Sequence, residues 1–303
     1  MSRIAYFGPR GTFTEQATRA LTDGDELVPA ETIHAALAAV RKGEADGACV
    51  PVENSVEGAV TATLDGLAED EPPLVAVAEA LLPVHFTVVT GSGGGPIRTV
   101  ASHPHALAQV REWLLVNLPE ARPTAASSTA AAAVGVVEGQ FDAAVVAPVA
   151  VEHYSLDVLA TGVADVADAR TRFVLVRPPG ELPEPTGHDR TSIVAAAANR
   201  TGTLARLLAE LASRGINLTR LDARPIKGNF GHYRFFVDFE GHVSEPRIGD
   251  ALAGLRRQCA EVRFLGSHAR ADGVAATIDS GAGNDVFTGA TDWVDAIRRG
   301  ELA

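Results

Sequence analysis

The chain has 303 residues, 46% of them hydrophobic and 21% charged, which suits two globular domains with sizeable cores. A net charge of −12 argues against attraction to nucleic acid or an anionic membrane through bulk electrostatics, although a local site of opposite sign can still hold a small anion. Cys49 and Cys259 are the only cysteines. They match no metal-ligand spacing and are expected to be free and buried, as in a reducing compartment.

Residues 2–8 enter a strand pattern without an apolar stretch of signal-peptide length. No run of about 18 apolar residues occurs, so a soluble cytoplasmic protein is expected. A short strand over 4–7 leads to Thr12-Phe13-Thr14-Glu15, a capping-box pattern opening a helix to about 21. A second helix spans 33–41 and closes at Gly43. A strand over 47–52 and a helix over 56–67 follow. Apolar runs at 74–80 and 85–90 have strand length. A strand over 98–101 leads to Ser102, read as the cap of a helix reaching 117. An alanine-rich helix spans 128–138. A strand over 142–147, another short helix and a strand over 172–176 close the region. This alternation predicts α/β layers with largely parallel sheets.

The segment 177–189 carries Pro178, Pro179, Gly180, Pro183, Pro185 and Gly187, a linker signal. The next region reads as strand 193–198, helix 204–214, strand 218–225, a turn at Gly228-Asn229, strand 233–239, helix 246–257 and strand 262–265. That order is the split βαβ of ferredoxin-like domains. In the remainder, 281–284 reads as flexible, and Thr291-Asp292 as the cap of a short helix through 299. A disordered or loosely docked extension is expected there. The expected domains are thus 1–178, a linker over 179–189, 190–268, and a tail over 269–303 with no assigned role.

Ligands of open α/β sheets bind beyond the carboxyl ends of strands. Four strand-to-helix junctions are rich in hydroxyl and amide groups: 8–14, 51–58, 101–106 and 126–130. Unpaired amides at helix starts, with hydroxyls beside them, suit carboxylates or phosphates. Each junction alone is also explained by simple helix capping, and spacing does not name the anion. The cluster Gly91-Ser92-Gly93-Gly94-Gly95 lacks the lysine and following helix of a phosphate loop and reads as a surface turn.

The residues at these junctions resemble the motifs of prephenate dehydratases. Gly8-Pro9-Arg10-Gly11-Thr12-Phe13-Thr14-Glu15-Gln16-Ala17 is similar to the family's opening motif. Pro51-Val52-Glu53-Asn54-Ser55-Val56-Glu57-Gly58 is similar to the second, and Ser102-His103-Pro104-His105-Ala106-Leu107-Ala108-Gln109 to the third. Ser128-Thr129-Ala130-Ala131-Ala132 and Thr171-Arg172-Phe173 match the other two, in the family's order. Further on, Asn199-Arg200-Thr201-Gly202-Thr203-Leu204-Ala205 and Asp222-Ala223-Arg224-Pro225 resemble the effector motifs of its ACT regulatory domain. The chain departs from the usual pattern at Ala169, Thr203, Asp222-Ala223 and Ser267-His268-Ala269. The departures bear more on the effector than on catalysis.

The resemblance implies a two-lobed α/β catalytic region, periplasmic-binding-protein-like of type II, followed by a ferredoxin-like βαββαβ ACT domain. It implies decarboxylating dehydration of prephenate to phenylpyruvate, with no metal or organic cofactor. Thr171 is the residue it places at the leaving hydroxyl, and Arg172 is the second catalytic candidate, shaping the cleft or pairing with a carboxylate such as Glu53. Thr12, Asn54 and Ser55 are expected at substrate carboxylates or the hydroxyl, with Ser102, Gln109, Ser127 and Thr129 behind them. Glu53, His103 and Phe173 complete the substrate set, a structural or pairing role being preferred for Glu53 and a structural one for His103. L-phenylalanine, and other aromatic amino acids with it, are the implied effectors, bound near Asn199, Gly202, Thr203, Leu204, Ala205, Asn217, Asp222, Arg224 and Pro225. A homodimer or homotetramer with ACT–ACT contacts is implied, with neither nucleic acid nor membrane as partner. Arogenate dehydratase is the close alternative, and a non-catalytic amino-acid sensor or solute-binding protein the distant one.

Overall fold

Apolar residues at 4–6 build the strand Arg3–Phe7, which pairs in parallel with Glu26–Ala30 on one side and Gly47–Asn54 on the other. The computed structural model describes residues 1–68, 71–197, 200–226, 231–278 and 281–301. They form two compact units, Met1–Pro73 with Glu79–Pro178, and Leu74–Ala78 with Pro179–Ala303. Among them no helix is long and apolar enough to cross a membrane.

The first unit has two lobes. In the first lobe Arg170–Arg177 adds to Gly47–Asn54 in antiparallel register, so this sheet is mixed, whereas the sequence pattern predicted a largely parallel one. Helices Phe13–Leu21, Ile33–Arg41 and Thr61–Leu67 accompany it. Tyr6, Ala17, Cys49 and Phe173 form one of its buried clusters. The second lobe is a five-stranded sheet in the order Leu156–Thr161, Thr87–Gly91, Ala143–Val146, Thr99–Ser102, Arg122–Ala125. Val88, Val100 and Val145 face one core, and Val89, Ala101 and Val146 the other, as period-two alternation requires. The chain enters this lobe at Val84 and leaves it at Ala169, and these two crossings are tied by Val84 N donating to Ala169 O at 2.7 Å. A lobe inserted through two adjacent crossings is the two-lobed arrangement expected.

Several elements differ from the periodicity, each for a local reason. Strands Glu26–Ala30, Arg122–Ala125 and Leu156–Thr161 lie at sheet edges with no residue buried, so no regular inside–outside alternation marks them. The helix expected from 56 begins only at Thr61. Before it, Asn54 Oδ1 accepts the Val56 and Glu57 amides at 2.8 and 3.0 Å, and Gly58 turns at φ +83°. The helix expected over 102–117 is two, Pro104–Gln109 and Arg111–Asn117. They break at Val110 because the Asp165 carboxylate accepts the Glu112 and Trp113 amides and so caps the second. The cap of the first is His103, not Ser102.

In the second unit the four strands run Leu218–Pro225, Tyr233–Glu240, Asp189–Ala197, Glu261–Ala269, all antiparallel. Helices Thr203–Ala212 and Pro246–Gln258 close a core of Ile193, Leu207, Leu211, Val237, Phe239, Ile248 and Leu255. This is the predicted ferredoxin-like order, although the Gly228-Asn229 turn lies outside the described residues. Gly266 stands opposite Ala76 at φ +140°, and a Cβ there would collide with the Ala76 carbonyl. The tail differs from expectation. Asn284–Arg298 is one helix of 15 residues, with Thr291 inside it, its hydroxyl donating to Phe287 O. Asn284 Nδ2 donates to Glu245 Oε2 at 3.2 Å. Cys259 is half-buried, not buried as expected, while Cys49 is buried. Burial pushes the Cys49 thiol up to about 12, so it stays protonated and unreactive.

Candidate active site

The junctions of the two lobes face a common cavity of about 210 Å³. The first lobe supplies Gly8, Thr12, Phe13, Thr14, Asn54 and Thr171, and the second Val84, Phe86, His103, His105, Gln109, Ser127, Ser128 and Thr129. Phe13 meets Phe86 edge-to-face across the lobes, with ring centroids 5.5 Å apart. No aspartate, glutamate, lysine or arginine is among the described residues lining it.

Thr171 and Asn54 lie directly opposite each other on antiparallel strands, so their side chains share a face. Asn54 Nδ2 donates to Thr171 Oγ1 at 2.8 Å. The orientation of the Asn54 amide is fixed, because its Oδ1 already accepts two backbone amides. Thr171 oxygen is therefore an acceptor toward Asn54, which leaves its one proton to be donated elsewhere. Arg172 points to the opposite face, as strand alternation requires. Its guanidinium is 6% exposed and lies 3.5 Å from Glu79 Oε2, so its partner is Glu79 and not the expected Glu53. A strand irregularity between Arg172 and Phe173 resets the register, and Phe173 is buried in the first-lobe core instead of lining the cavity.

Ser55 is exposed outside the cavity, its hydroxyl accepting Arg170 N at 2.9 Å. Glu53 is half-buried and also outside the lining. Ser102 is fully buried and donates to Val145 O at 2.6 Å, so it fixes the sheet behind the site. Thr12, Gln109, Ser127, Thr129 and His103 do reach the cavity. Thr12 Oγ1 accepts Glu15 N and donates to Pro9 O at 3.1 Å. Its hydroxyl is thus engaged within the loop, and the helix-start amides beside it are the available donors. Ser128 caps the helix Thr129–Val137 through Ala131 N. Gln109 is 7% exposed, and its side-chain carbonyl has no partner.

His103 Nδ1 accepts His105 N at 3.3 Å. Burial first, then the neighbouring His105, push the His103 pKa below the usual imidazole value, against the pull of Glu57. His103 therefore stays neutral near pH 7, with its proton on Nε2. The sequence reading missed His105, which lies 3.6 Å from Glu57 across the lobes. It also took Glu15 only as the second half of a capping box. The Glu15 carboxylate reaches Gly11 N at 2.6 Å, one residue earlier than the box predicts, and meets His153 of the second lobe at 2.8 Å.

In the second unit, Gly202 caps the helix Thr203–Ala212 at φ +81°, a conformation few other residues adopt. Thr203 donates to Arg200 O at 2.9 Å. Leu204 is half-buried and Ala205 exposed on the first turn. Asn217 O accepts Glu240 N. Asp222, Arg224 and Pro225 lie on Leu218–Pro225, with Asp222 paired to Arg220 at 2.6 Å. Asn199 lies outside the described residues. A cavity of about 710 Å³ opens beside Arg200, Thr203 and Arg206, and Gly202, Asp222, Arg224 and Pro225 are not among its described lining residues.

The chain matches the model of prephenate dehydratase over residues 4–181 and that of the ACT domain over 191–257. It belongs to the prephenate dehydratase family. A curated prephenate dehydratase of Amycolatopsis methanolica is 75% identical over 305 residues, covering 100% of both chains. The crystal structure of the Arthrobacter aurescens prephenate dehydratase in complex with L-Phe aligns with a TM-score of 0.91 at 42% identity, covering 98% of this chain and 99% of that one. A structure described as a novel type of quorum-quenching acylase aligns with a TM-score of 0.80 at 31% identity, covering 88% and 97%. The family's members are lyases, and the cavity just described is where two lobes bring its motifs together.

Proposed function

We propose that the interlobe cavity converts prephenate to phenylpyruvate and that the Thr171 hydroxyl meets the departing ring hydroxyl. The bond from the ring to its carboxylate breaks, and the freed electron pair expels the ring hydroxyl as the ring aromatises. Carbon dioxide leaves, and the hydroxyl takes up one proton to leave as water. A threonine alcohol is too weak an acid to give that proton outright, so Thr171 acts as an oriented donor and relay in a concerted step. The observation that carries this reading is the fixed Asn54 amide, which directs the Thr171 proton away from itself. The test is ultraviolet detection of phenylpyruvate with wild type and Thr171→Ala. A folded variant with full turnover overturns the role.

The lining also bears on substrate choice. With no acidic side chain among the described residues that line it, the lining offers the ammonium of arogenate no counter-ion, whereas the keto group of prephenate needs none. The two substrate carboxylates are met by amides at the starts of Phe13–Leu21 and Thr129–Val137 and by the neutral His103 donor. Side-by-side turnover of prephenate and arogenate tests this, with prephenate expected to be strongly preferred. Acyl transfer, the activity named for one structural relative, is less supported. The Ser102 and Ser128 hydroxyls are engaged with Val145 O and Ala131 N and have no histidine base.

For regulation, the effector is L-phenylalanine, bound at the Gly202 turn and the Asp222–Pro225 stretch of the ACT domain. The complex of the Arthrobacter aurescens relative with L-Phe supports the ligand. The Asp222 to Pro225 stretch is not among the described residues lining the cavity beside Thr203, which supports a site completed by a second copy and hence a homo-oligomer. Low cysteine usage supports a cytoplasmic location.

A further inference from the structure

Glu15 is a carboxylate only 3% exposed, at the start of the helix that faces the cavity. One oxygen accepts Gly11 N at 2.6 Å. The other accepts Arg19 Nη2 at 2.6 Å and meets His153 Nε2 at 2.8 Å. Arg19 continues to Glu152 at 2.6 Å, and Tyr154 donates its hydroxyl to Arg10 O at 3.1 Å. His153, Glu152 and Tyr154 belong to the second lobe, whereas Arg10, Gly11, Glu15 and Arg19 belong to the first. Gly11 sits at φ +86°, and a Cβ there would stand 3.1 Å from the Tyr154 ring and 3.2 Å from Ala150 Cα. The loop carrying Thr12 is therefore clamped from two sides.

A buried carboxylate next to a site for a dianion would repel it if left bare. Here burial raises the Glu15 pKa, but the Gly11 amide, His153 and Arg19 outweigh it and hold the group below the ordinary carboxylate range. The same three partners also offset its charge. We propose that Glu15 is a positioning residue for the substrate cleft: through Gly11 N it fixes the wall formed by Thr12 to Thr14, and through His153 it sets the separation of the two lobes. It touches no substrate atom and acts through these two partners.

The inference rests on the lyase reading, so wild-type formation of phenylpyruvate is measured first. An inactive wild type would sink that reading itself, whereas an active wild type with unaffected variants sinks only the role of Glu15. A lesion that merely lowers stability reduces the active fraction, and with it apparent kcat, while KM stays constant. Loss of positioning raises KM. Glu15→Ala is expected to raise the KM for prephenate about tenfold, with kcat changed less, since small misplacements of a binding wall cost that much. Glu15→Gln keeps an oxygen for Gly11 N and is expected to recover most of the loss. A KM for Glu15→Ala equal to wild type, or a Glu15→Gln as impaired as Glu15→Ala, overturns the proposal. Should Glu15→Ala not fold, His153→Ala decides: it removes only the second-lobe partner, a KM raised about threefold is expected for one lost hydrogen bond, and an unchanged KM overturns the role.

Discussion

The catalytic unit and the ferredoxin-like unit present their motif residues in different ways. In the catalytic unit, side chains far apart in sequence meet: Asn54 and Thr171 are 117 positions apart and 2.8 Å from each other. They face a cavity whose walls come from both lobes. In the ferredoxin-like unit the described motif residues lie mostly on one helix start and one strand, and the strand residues are not among those lining the cavity beside Thr203. A reaction needs groups held in place before the substrate arrives, and the two-lobed unit supplies that with bonds to its own backbone. A sensor needs instead an equilibrium that a ligand can shift.

This contrast is broken most easily at Thr171. Thr171→Ala is expected to lower kcat by about 10²- to 10³-fold, with little change in folding, whereas Thr171→Ser keeps a donor and loses much less. Steady-state kinetics with circular dichroism separates the two. Asn54→Ala is the next largest effect, about tenfold to a hundredfold in kcat, because the Thr171 proton is then free to turn. An unaltered kcat would show that the amide does not orient the hydroxyl.

Gly202→Ala probes the other unit. The left-handed backbone there costs an alanine about 1 kcal/mol, so the phenylalanine inhibition curve should move by about fivefold. A curve that does not move would place the effector elsewhere. The smallest effect concerns pH. The folded pKa of Glu15 lies below its unfolded value, so the unfolded chain takes up the proton first. The stabilisation is present above the unfolded pKa and is lost as pH falls through the folded one. Urea melts from neutral to acid pH should show wild type losing stability faster than Glu15→Gln, and parallel curves would contradict it.

Much of this was legible in the chain. The order of five motifs announced the family, and the pattern of apolar residues, with Thr12 as a cap and Gly43 as a stop, placed the first two helices. Alternation also put Thr171 and Arg172 on opposite faces. Local rules reach only a few residues along the chain, and there they succeeded. The resemblance named Glu53 as an example of a carboxylate for Arg172, which pairs with Glu79 at a separation of 93 positions. It also credited Ser102 and Phe173 with places in the cavity, where both are buried instead.

The sequence by itself determined most of the secondary elements, the family and the set of polar junctions, because helix caps, alternation and motif order are written in neighbouring residues. Only the tertiary structure decided which of those polar groups stay available and which are engaged. The bond between Glu15 and His153 spans 138 positions, and no periodicity encodes a contact between residues so far apart in the chain.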